Sequence, residues 1–316
     1  MNAGSRHLVD PELLPALDLM PDLDLDAARL AELRAGMDAL IPKLETLPCD
    51  GVDVEVVTIS GPGGAPLELQ LFRPAGAASA PLPAFLHIHG GGYVLGNATQ
   101  SALGNMRTAR EVGCLVASVE YSLAPETSGT GAVEQCHAAL AWLATNADDL
   151  GIDPSRIAVG GESAGGGLAA ALALLARDRG EVVPCFQMLI YPMLDASTGQ
   201  SGDEHPFTGE FVWTRAANRF GWDSLLAENA SDSPYVVPAR AADLSGLPPT
   251  YMSVGALDLF VEEDLEFARR LMRAGVPVEF HLFPGAFHGF ELAAEADVSK
   301  RAEAERRTAL ARAFAR

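Results

Sequence analysis

Hydrophobic and polar residues follow two patterns along the chain. Residues 53–59 and 67–72 alternate between apolar and polar side chains, and the stretch from Gly61 to Gly64 separates them, so they predict an antiparallel hairpin. Later apolar runs are typical of buried strands, and they lie at 84–89, 114–119, 157–159, 186–190, 250–254 and 278–283. Helical patterns occupy 101–111, 132–147, 164–177, 262–274 and 294–314. Strands and helices that alternate in this way predict an α/β fold whose sheet is mostly parallel, with helices on both faces.

Two segments fall outside this alternation. Near the N-terminus, Leu30, Leu33, Met37 and Leu40 recur at helical spacing, in a segment that either packs on the core or covers a site. The interval 198–242 is rich in Gly, Ser, Asp and Pro, yet it contains Phe207, Phe211, Trp213, Phe220 and Trp222. It is either an excursion folded back on the core or a helical lid. We predict a helical cap segment at 1–48 and a cap insertion at 198–242, with the core in two parts, 49–197 and 243–316.

Composition excludes several functional classes. The 22 basic and 42 acidic residues give a net charge of −20, which repels phosphate backbones and anionic lipid headgroups, so we expect no nucleic-acid or membrane partner. Four dispersed cysteines without a C-x-x-C pair indicate neither a metal site nor a disulfide framework. The first 26 residues lack the basic and apolar regions of a signal peptide, and no stretch is long and apolar enough to span a bilayer. We therefore expect a cytoplasmic protein.

A glycine-rich turn around Ser163 is the first candidate for chemistry. Residues 161–165 read Gly-Glu-Ser-Ala-Gly, which fits the nucleophile elbow, a sharp strand-to-helix turn that exposes one hydroxyl. The alternative is an ordinary glycine-rich turn in which the serine is incidental. Serine needs a base to become a nucleophile, so the rest of the chain decides between the two interpretations.

His288 and Asp258 are the best candidates to complete such a site. His288 lies on a glycine-flanked loop after the last predicted strand, whereas His281 and His137 lie inside predicted elements. Asp258 follows the strand at 250–254, and an aspartate in this place can orient the imidazole. The neighbouring Glu262, Glu263 and Asp264 fall in a first helical turn, where the helix dipole already explains acidic residues.

A second glycine loop predicts an oxyanion hole. Residues 89–92 read His-Gly-Gly-Gly directly after a strand, which matches loops whose amides bind the oxyanion of a tetrahedral intermediate. We assign the amide of Ala164 as a further donor and His89 as a side chain that fixes the loop. A phosphate-binding loop is disfavoured because the G-K-[ST] ending and the G-x-G-x-x-G spacing are both missing.

Four motifs in order carry a family resemblance: 87–92 (His-Ile-His-Gly-Gly-Gly), 121–126 (Tyr-Ser-Leu-Ala-Pro-Glu), 161–166 (Gly-Glu-Ser-Ala-Gly-Gly) and 284–290 (Pro-Gly-Ala-Phe-His-Gly-Phe). Together they resemble the bacterial hormone-sensitive-lipase-like carboxylesterases. The resemblance implies an eight-stranded α/β-hydrolase core with a cap, and hydrolysis of carboxylic esters, usually with short acyl chains, without a cofactor. By motif, Ser163 is the nucleophile, Asp258 the acid and His288 the base, and Gly91, Gly92 and Ala164 form the oxyanion hole.

This chain departs from the family pattern at Ser122, where arginine is usual, at 127–130 and after Asp258, yet none of these changes removes a catalytic atom. The resemblance also suggests a homodimer through the last strand and helix, which the sequence does not decide. An amidase or acyltransferase could use the same residues, and a non-catalytic binding module on this fold would need a damaged triad.

Specificity is less constrained by the sequence. We expect five residues to bind the substrate: Tyr93, Val94, Leu95, Trp213 and Phe287. Trp213 is expected to set the pocket length or to favour aromatic esters. Glu162 is interpreted as a buried neighbour that orients the elbow.

Overall fold

One mixed sheet organises the part of the chain that the computed structural model describes, namely residues 4–20, 23, 25–76, 80–200, 205–226 and 233–315. Within these ranges it has eight strands in the order β1-β2-β4-β3-β5-β6-β7-β8. The strands are β1 Val52–Ser60, β2 Pro66–Pro74, β3 Leu82–Ile88, β4 Leu115–Val119, β5 Ile152–Glu162, β6 Phe186–Ile190, β7 Thr250–Gly255 and β8 Val278–Phe283. Strand β2 is antiparallel to β1 and β4, whereas all pairs from β4 to β8 are parallel. The predicted α/β fold class and the hairpin are confirmed.

Helices cover both faces of the sheet. They are α1 Leu14–Leu17, α2 Leu30–Leu40, α3 Ala102–Thr108, α4 Gly131–Thr145, α5 Ala147–Leu150, α6 Ala164–Arg179, α7 Arg215–Leu226, α8 Val261–Arg273 and α9 Asp297–Phe314. One hydrophobic cluster joins the sheet to α4, α6 and α8, and a second joins its other face to α3 and α9. The sheet is therefore the middle of three layers, as its apolar strands require.

Two predicted boundaries differ from the structure. The helix expected at 101–111 ends at Thr108, where a wider turn over Ala109–Gly113 leads into β4. The last helix begins at Asp297 rather than near 294, because Phe290–Leu292 forms a separate 3-10 turn.

Helix α6 approaches the sheet closely enough to fix the elbow. A Cβ on Gly165 would lie 2.0 Å from the carbonyl oxygen of Ile88, so only glycine fits at this contact. The start of α6 therefore rests directly on the C-terminal end of β3. This contact brings the elbow beside the loop that follows β3.

The aromatic residues of the predicted cap insertion divide between core and surface. Trp222 is fully buried and packs on Tyr93 with ring centroids 5.2 Å apart, Trp213 is also buried, and Phe207 is exposed. Parts of the insertion, 201–204 and 227–232, lie outside the described residues, so its bounds and the division of the chain into cap and core stay predictions. Among the described helices, none is long and apolar enough to cross a membrane.

Candidate active site

Ser163 occupies the turn between β5 and α6 with an unusual backbone. Its φ of 57° and ψ of −119° lie in a region that costs a non-glycine residue roughly 1–3 kcal/mol. Three backbone hydrogen bonds hold it there: its N–H donates to Ile190 O at 2.9 Å, and its carbonyl accepts from Gly167 N at 2.9 Å and Met193 N at 3.0 Å. The strained turn is therefore fastened to both β6 and α6, and it presents the side chain at the end of the sheet.

Ser163, His288 and Asp258 form a continuous line of hydrogen bonds. His288 Nε2 lies 2.9 Å from Ser163 Oγ, and His288 Nδ1 lies 2.8 Å from Asp258 Oδ2. All three residues are buried, and Asp258 completely so. The other oxygen of Asp258 accepts the N–H of Phe260 at 3.0 Å, which fixes the plane of the carboxylate. The structure thus brings together the three residues that the sequence selected, in an arrangement that can pass a proton from a hydroxyl to an imidazole.

The loop that carries His288 is held by groups that the sequence did not reveal. The Tyr191 ring packs on the imidazole with centroids 4.7 Å apart, and Phe260 meets it edge-on at 5.2 Å. The Tyr191 hydroxyl donates to Glu291 Oε2 at 3.0 Å, and Glu291 forms an ion pair with Arg306 of α9. Because Glu291 follows His288 by three residues, this chain of contacts ties the histidine loop to β6 and α9.

The glycine loop after β3 offers free donors beside Ser163. Among the described residues, the amides of Gly91, Gly92 and Ala164 donate to no protein acceptor. Gly92 has a φ of +59°, and a Cβ there would lie 1.9 Å from Cη2 of Trp213. Glycine is therefore required at Gly92, and the backbone can present its N–H group to a ligand.

His89 supports this loop from behind. Its Nδ1 lies 2.8 Å from Gly90 O, and its ring stacks on Tyr121 with centroids 4.2 Å apart. Burial lowers the pKa of His89 to about 4, although its hydrogen bond to Gly90 opposes the shift. The imidazole is thus neutral at pH 7 and fixes the loop, as the sequence suggested.

A cavity of about 520 Å³ opens at Ser163 and His288. Of the five residues predicted to bind substrate, Leu95 and Trp213 line it, whereas Tyr93, Val94 and Phe287 lie outside its wall. The Tyr93 hydroxyl instead donates to Met193 O at 2.9 Å. Leu23 and Met37 reach the cavity from the N-terminal segment, so both predicted cap segments contribute to its wall.

Glu162 differs from its sequence interpretation in one respect. Its Oε2 lies 2.9 Å from Nε2 of His87, whose Nδ1 lies 3.1 Å from Ser118 Oγ. The side chain keeps 31% of its surface exposed and lines the cavity, so it is only partly buried beside the elbow.

The three acidic residues in the first turn of α8 differ in burial, because Glu262 is exposed, Glu263 is half-buried and Asp264 is buried. Glu263 accepts the N–H of Leu194 at 2.7 Å and bonds the Thr198 hydroxyl, so it fastens α8 to the segment after β6. Asp264 is fully buried. Burial raises the pKa of both carboxyls well above the usual range, and the charge of Asp258 adds to the effect at Asp264. Within the described ranges, no group of three or more His, Cys, Asp or Glu side chains is arranged to hold a metal ion.

Comparison with known proteins agrees with this geometry. The sequence model of a protein family described as alpha/beta hydrolase fold matches residues 85–292. Carboxylic ester hydrolase LipN of Mycobacterium tuberculosis is 34% identical over 92% of this chain and 80% of its own length. Esterase LipI of the same organism is 32% identical over 91% of this chain and 89% of its own. A solved bacterial heroin esterase matches with a TM-score of 0.91 and 44% identity, covering 98% of this chain and 99% of its own. The chain therefore belongs to the α/β-hydrolase family, in its hormone-sensitive-lipase-like branch, and is a carboxylic ester hydrolase.

Proposed function

We propose that Ser163, His288 and Asp258 carry out ester hydrolysis through an acyl-enzyme. The observation that carries this proposal is the unbroken pair of hydrogen bonds, 2.9 Å from Ser163 Oγ to His288 Nε2 and 2.8 Å from Nδ1 to Asp258. Nucleophile, base and orienting carboxylate are the three groups that acyl transfer by serine requires.

The reaction proceeds in two steps. Ser163 Oγ attacks the ester carbonyl while its proton passes to His288 Nε2, and Asp258 stabilises the resulting imidazolium. The amides of Gly91, Gly92 and Ala164 donate to the oxyanion. The tetrahedral intermediate then expels the alcohol, which takes the proton from His288. Water repeats the sequence on the acyl-enzyme, releases the carboxylic acid and restores the serine.

Acyl groups of short chain fit the cavity better than long ones. Most of the wall is apolar, but polar side chains interrupt it, among them Asn105, Thr108, Glu162 and Arg306. A long alkyl chain would displace water from these groups without replacing its hydrogen bonds, which offsets the roughly 0.8 kcal/mol gained for each buried CH₂. We therefore assign esters of short carboxylic acids as the preferred substrates.

Aromatic leaving groups are the second part of the specificity proposal. The alcohol oxygen must lie near His288 to receive its proton, and the rings of Tyr191 and Trp213 have centroids 4.7 Å and 6.3 Å from that of the imidazole. An aromatic alcohol can pack against these rings, and an aliphatic one makes less contact.

Hydrolysis of a matched set of esters tests the proposed specificity. We expect kcat/KM to fall at least about tenfold from nitrophenyl butyrate to octanoate, and benzyl acetate to exceed ethyl acetate. Trp213→Ala should reduce the benzyl-to-ethyl ratio. Equal rates for butyrate and octanoate would contradict the short-chain assignment, and an unchanged ratio in the variant would contradict the role of Trp213.

The location and assembly of the protein also stay predictions. We propose a homodimer through β8 and α9, because β8 is the last strand of the sheet and has a free edge among the described residues. Light scattering of the purified protein distinguishes dimer from monomer. The predicted cytoplasmic location is tested by cell fractionation.

A further inference from the structure

One arm of the cavity extends from Ser163 between α3, α9 and the sheet, and we propose that it is a subsite for a positively charged group of the substrate. Glu162 is the anionic partner in this subsite, and a protonated amine is the group that it binds. The inference rests on the ester hydrolysis proposed above and adds a substrate class to it: esters that carry an amine.

The arm is continuous with the reacting serine. Its wall is formed by Phe85 and Met188 from the sheet, Asn105 from α3 and Leu310 from α9. These residues line the same cavity as Ser163. Glu162 precedes Ser163 in the chain, and adjacent Cα atoms lie about 3.8 Å apart. A charged group a few bonds away from the ester carbon can therefore reach this carboxylate.

Glu162 has an acceptor available for a ligand. Its Oε2 lies 2.9 Å from His87 Nε2, whereas Oε1 accepts no hydrogen bond from the side chain of another described residue. The His87 side chain is only 3% exposed and that of Glu162 is 31% exposed, so a ligand would contact Glu162 rather than His87. Since Glu162 lines the cavity, that surface faces the space that a substrate would enter.

The guanidinium groups of the wall form ion pairs with carboxylates other than Glu162. Arg306 pairs with Glu291 and lies 3.6 Å from Glu303, and Arg307 lies 2.6 Å from Glu303. Among the described residues, no guanidinium forms an ion pair with Glu162. Besides the imidazoles of His87 and His288, the wall holds three carboxylates and two guanidinium groups, so carboxylates outnumber the guanidinium groups.

Glu162 is ionised under ordinary conditions. Burial acts to raise its pKa, but the interaction with His87 and the charge of Arg306 outweigh this effect and lower the pKa overall. Trp213 and Tyr191 line the same cavity, and aromatic rings attract cations. An amine is thus favoured by charge and by ring contacts, and a carboxylate on the substrate is repelled.

Two series of isosteric esters test the subsite. The acyl series consists of nitrophenyl esters of 4-(dimethylamino)butanoic acid, 5-methylhexanoic acid and glutaric acid, which place an amine, an isopropyl group or a carboxylate at the chain end. The alcohol series consists of the acetates of 2-(dimethylamino)ethanol, 3-methylbutanol and 3-hydroxypropanoic acid. For each ester, kcat/KM is measured at pH 7 with the uncatalysed rate subtracted.

In at least one series we expect kcat/KM of the amine ester to exceed that of the neutral ester by roughly fivefold or more, and kcat/KM of the carboxylate ester to be the lowest. Glu162→Gln should bring the amine-to-neutral ratio within about twofold of one, and Glu162→Asp, which keeps the charge, should retain the preference. Because the ratio compares two substrates of one protein, a general loss of activity cancels. Glu181→Gln is the matched control, since α6 has 16 residues and separates Glu181 from the elbow by roughly 24 Å.

Ratios near one in both series, or a preference unchanged in Glu162→Gln, would overturn the subsite. These outcomes are separable from a failure of the proposed function. If the neutral esters are hydrolysed without charge discrimination, only the subsite is wrong. If a Ser163→Ala protein hydrolyses them at the wild-type rate, the proposed mechanism is wrong.

Discussion

Replacing Gly92 by alanine should damage both the oxyanion hole and the packing of Trp213. Gly92 has a φ of +59°, which costs an L-residue roughly 1–2 kcal/mol. The new Cβ would lie 1.9 Å from Cη2 and 2.5 Å from Cζ2 of Trp213, and overpacking of this kind costs typically about 1–3 kcal/mol. Together these terms predict a loss of roughly 2–5 kcal/mol of folding stability.

The rate effect follows from the displaced amide. Loss of one oxyanion donor lowers kcat by roughly 10²–10³-fold, so Gly92→Ala should show a decrease of this size on nitrophenyl acetate. The double variant Gly92→Ala/Trp213→Ala removes the overlap between the new Cβ and the indole ring, but it keeps the cost of a positive φ at an alanine. It should therefore be more stable than the sum of the two single changes predicts, with a coupling of at least about 1 kcal/mol.

Urea unfolding and steady-state kinetics of the four proteins measure both effects. Gly36→Ala serves as the control, because a Cβ at Gly36 in α2 meets no atom within 4 Å and should leave the rate unchanged. A Gly92→Ala enzyme with kcat within twofold of wild type would refute the oxyanion assignment. A double-mutant coupling near zero would refute the overlap.

Three further predictions concern histidines and their neighbours. His288→Ala should lower kcat at least ~10³-fold without loss of the folded state by circular dichroism, and a variant that kept a tenth of the activity would contradict its role as base. Tyr191→Phe removes the hydroxyl that donates to Glu291 and should lower kcat roughly three- to tenfold with KM within twofold, whereas a change in KM alone would contradict positioning. Burial lowers the pKa of His89 from 6.5 to about 4 in the folded protein, so between these pH values the unfolded chain binds the extra proton. The unfolding free energy should therefore drop by up to about 3 kcal/mol as pH falls from 6.5 to 4. Urea unfolding at pH 7, 6 and 5 measures how the unfolding free energy depends on pH. This dependence should be weaker for His89→Asn than for the wild type, and equal dependence in the two proteins would contradict the role of His89.

The strands and the catalytic loops could be predicted because they depend on local patterns. Apolar runs separated by helical spacing specify parallel strands, and residues that follow such strands meet at one edge of the sheet. Ser163, Asp258 and His288 each follow a strand, so their proximity was predictable although they are far apart in the chain. The fold class and the esterase class are confirmed, and the individual catalytic roles stay predictions.

The groups that secure the site could not be predicted in the same way. Tyr191 and Glu291 are 100 residues apart, and Arg306 lies on a helix whose pattern indicates only amphipathic packing. No local spacing links these side chains, so only the fold reveals their contact. Glu263 was not predicted for another reason: an acidic residue in a first helical turn is usually at the surface, whereas here hydrogen bonds from Leu194 and Thr198 hold the side chain partly buried.

Labelling with a serine-directed fluorophosphonate tests the central claim most directly. Trypsin cleavage after Arg156 and Arg177 releases residues 157–177, and within this peptide Ser163 is the only residue with a hydroxyl group. Mass spectrometry should find one adduct per chain, on this peptide, in parallel with complete loss of hydrolysis, and the Ser163→Ala protein should be neither labelled nor active. An adduct on another peptide, or hydrolysis that survives full labelling of Ser163, would contradict the proposed acyl-enzyme.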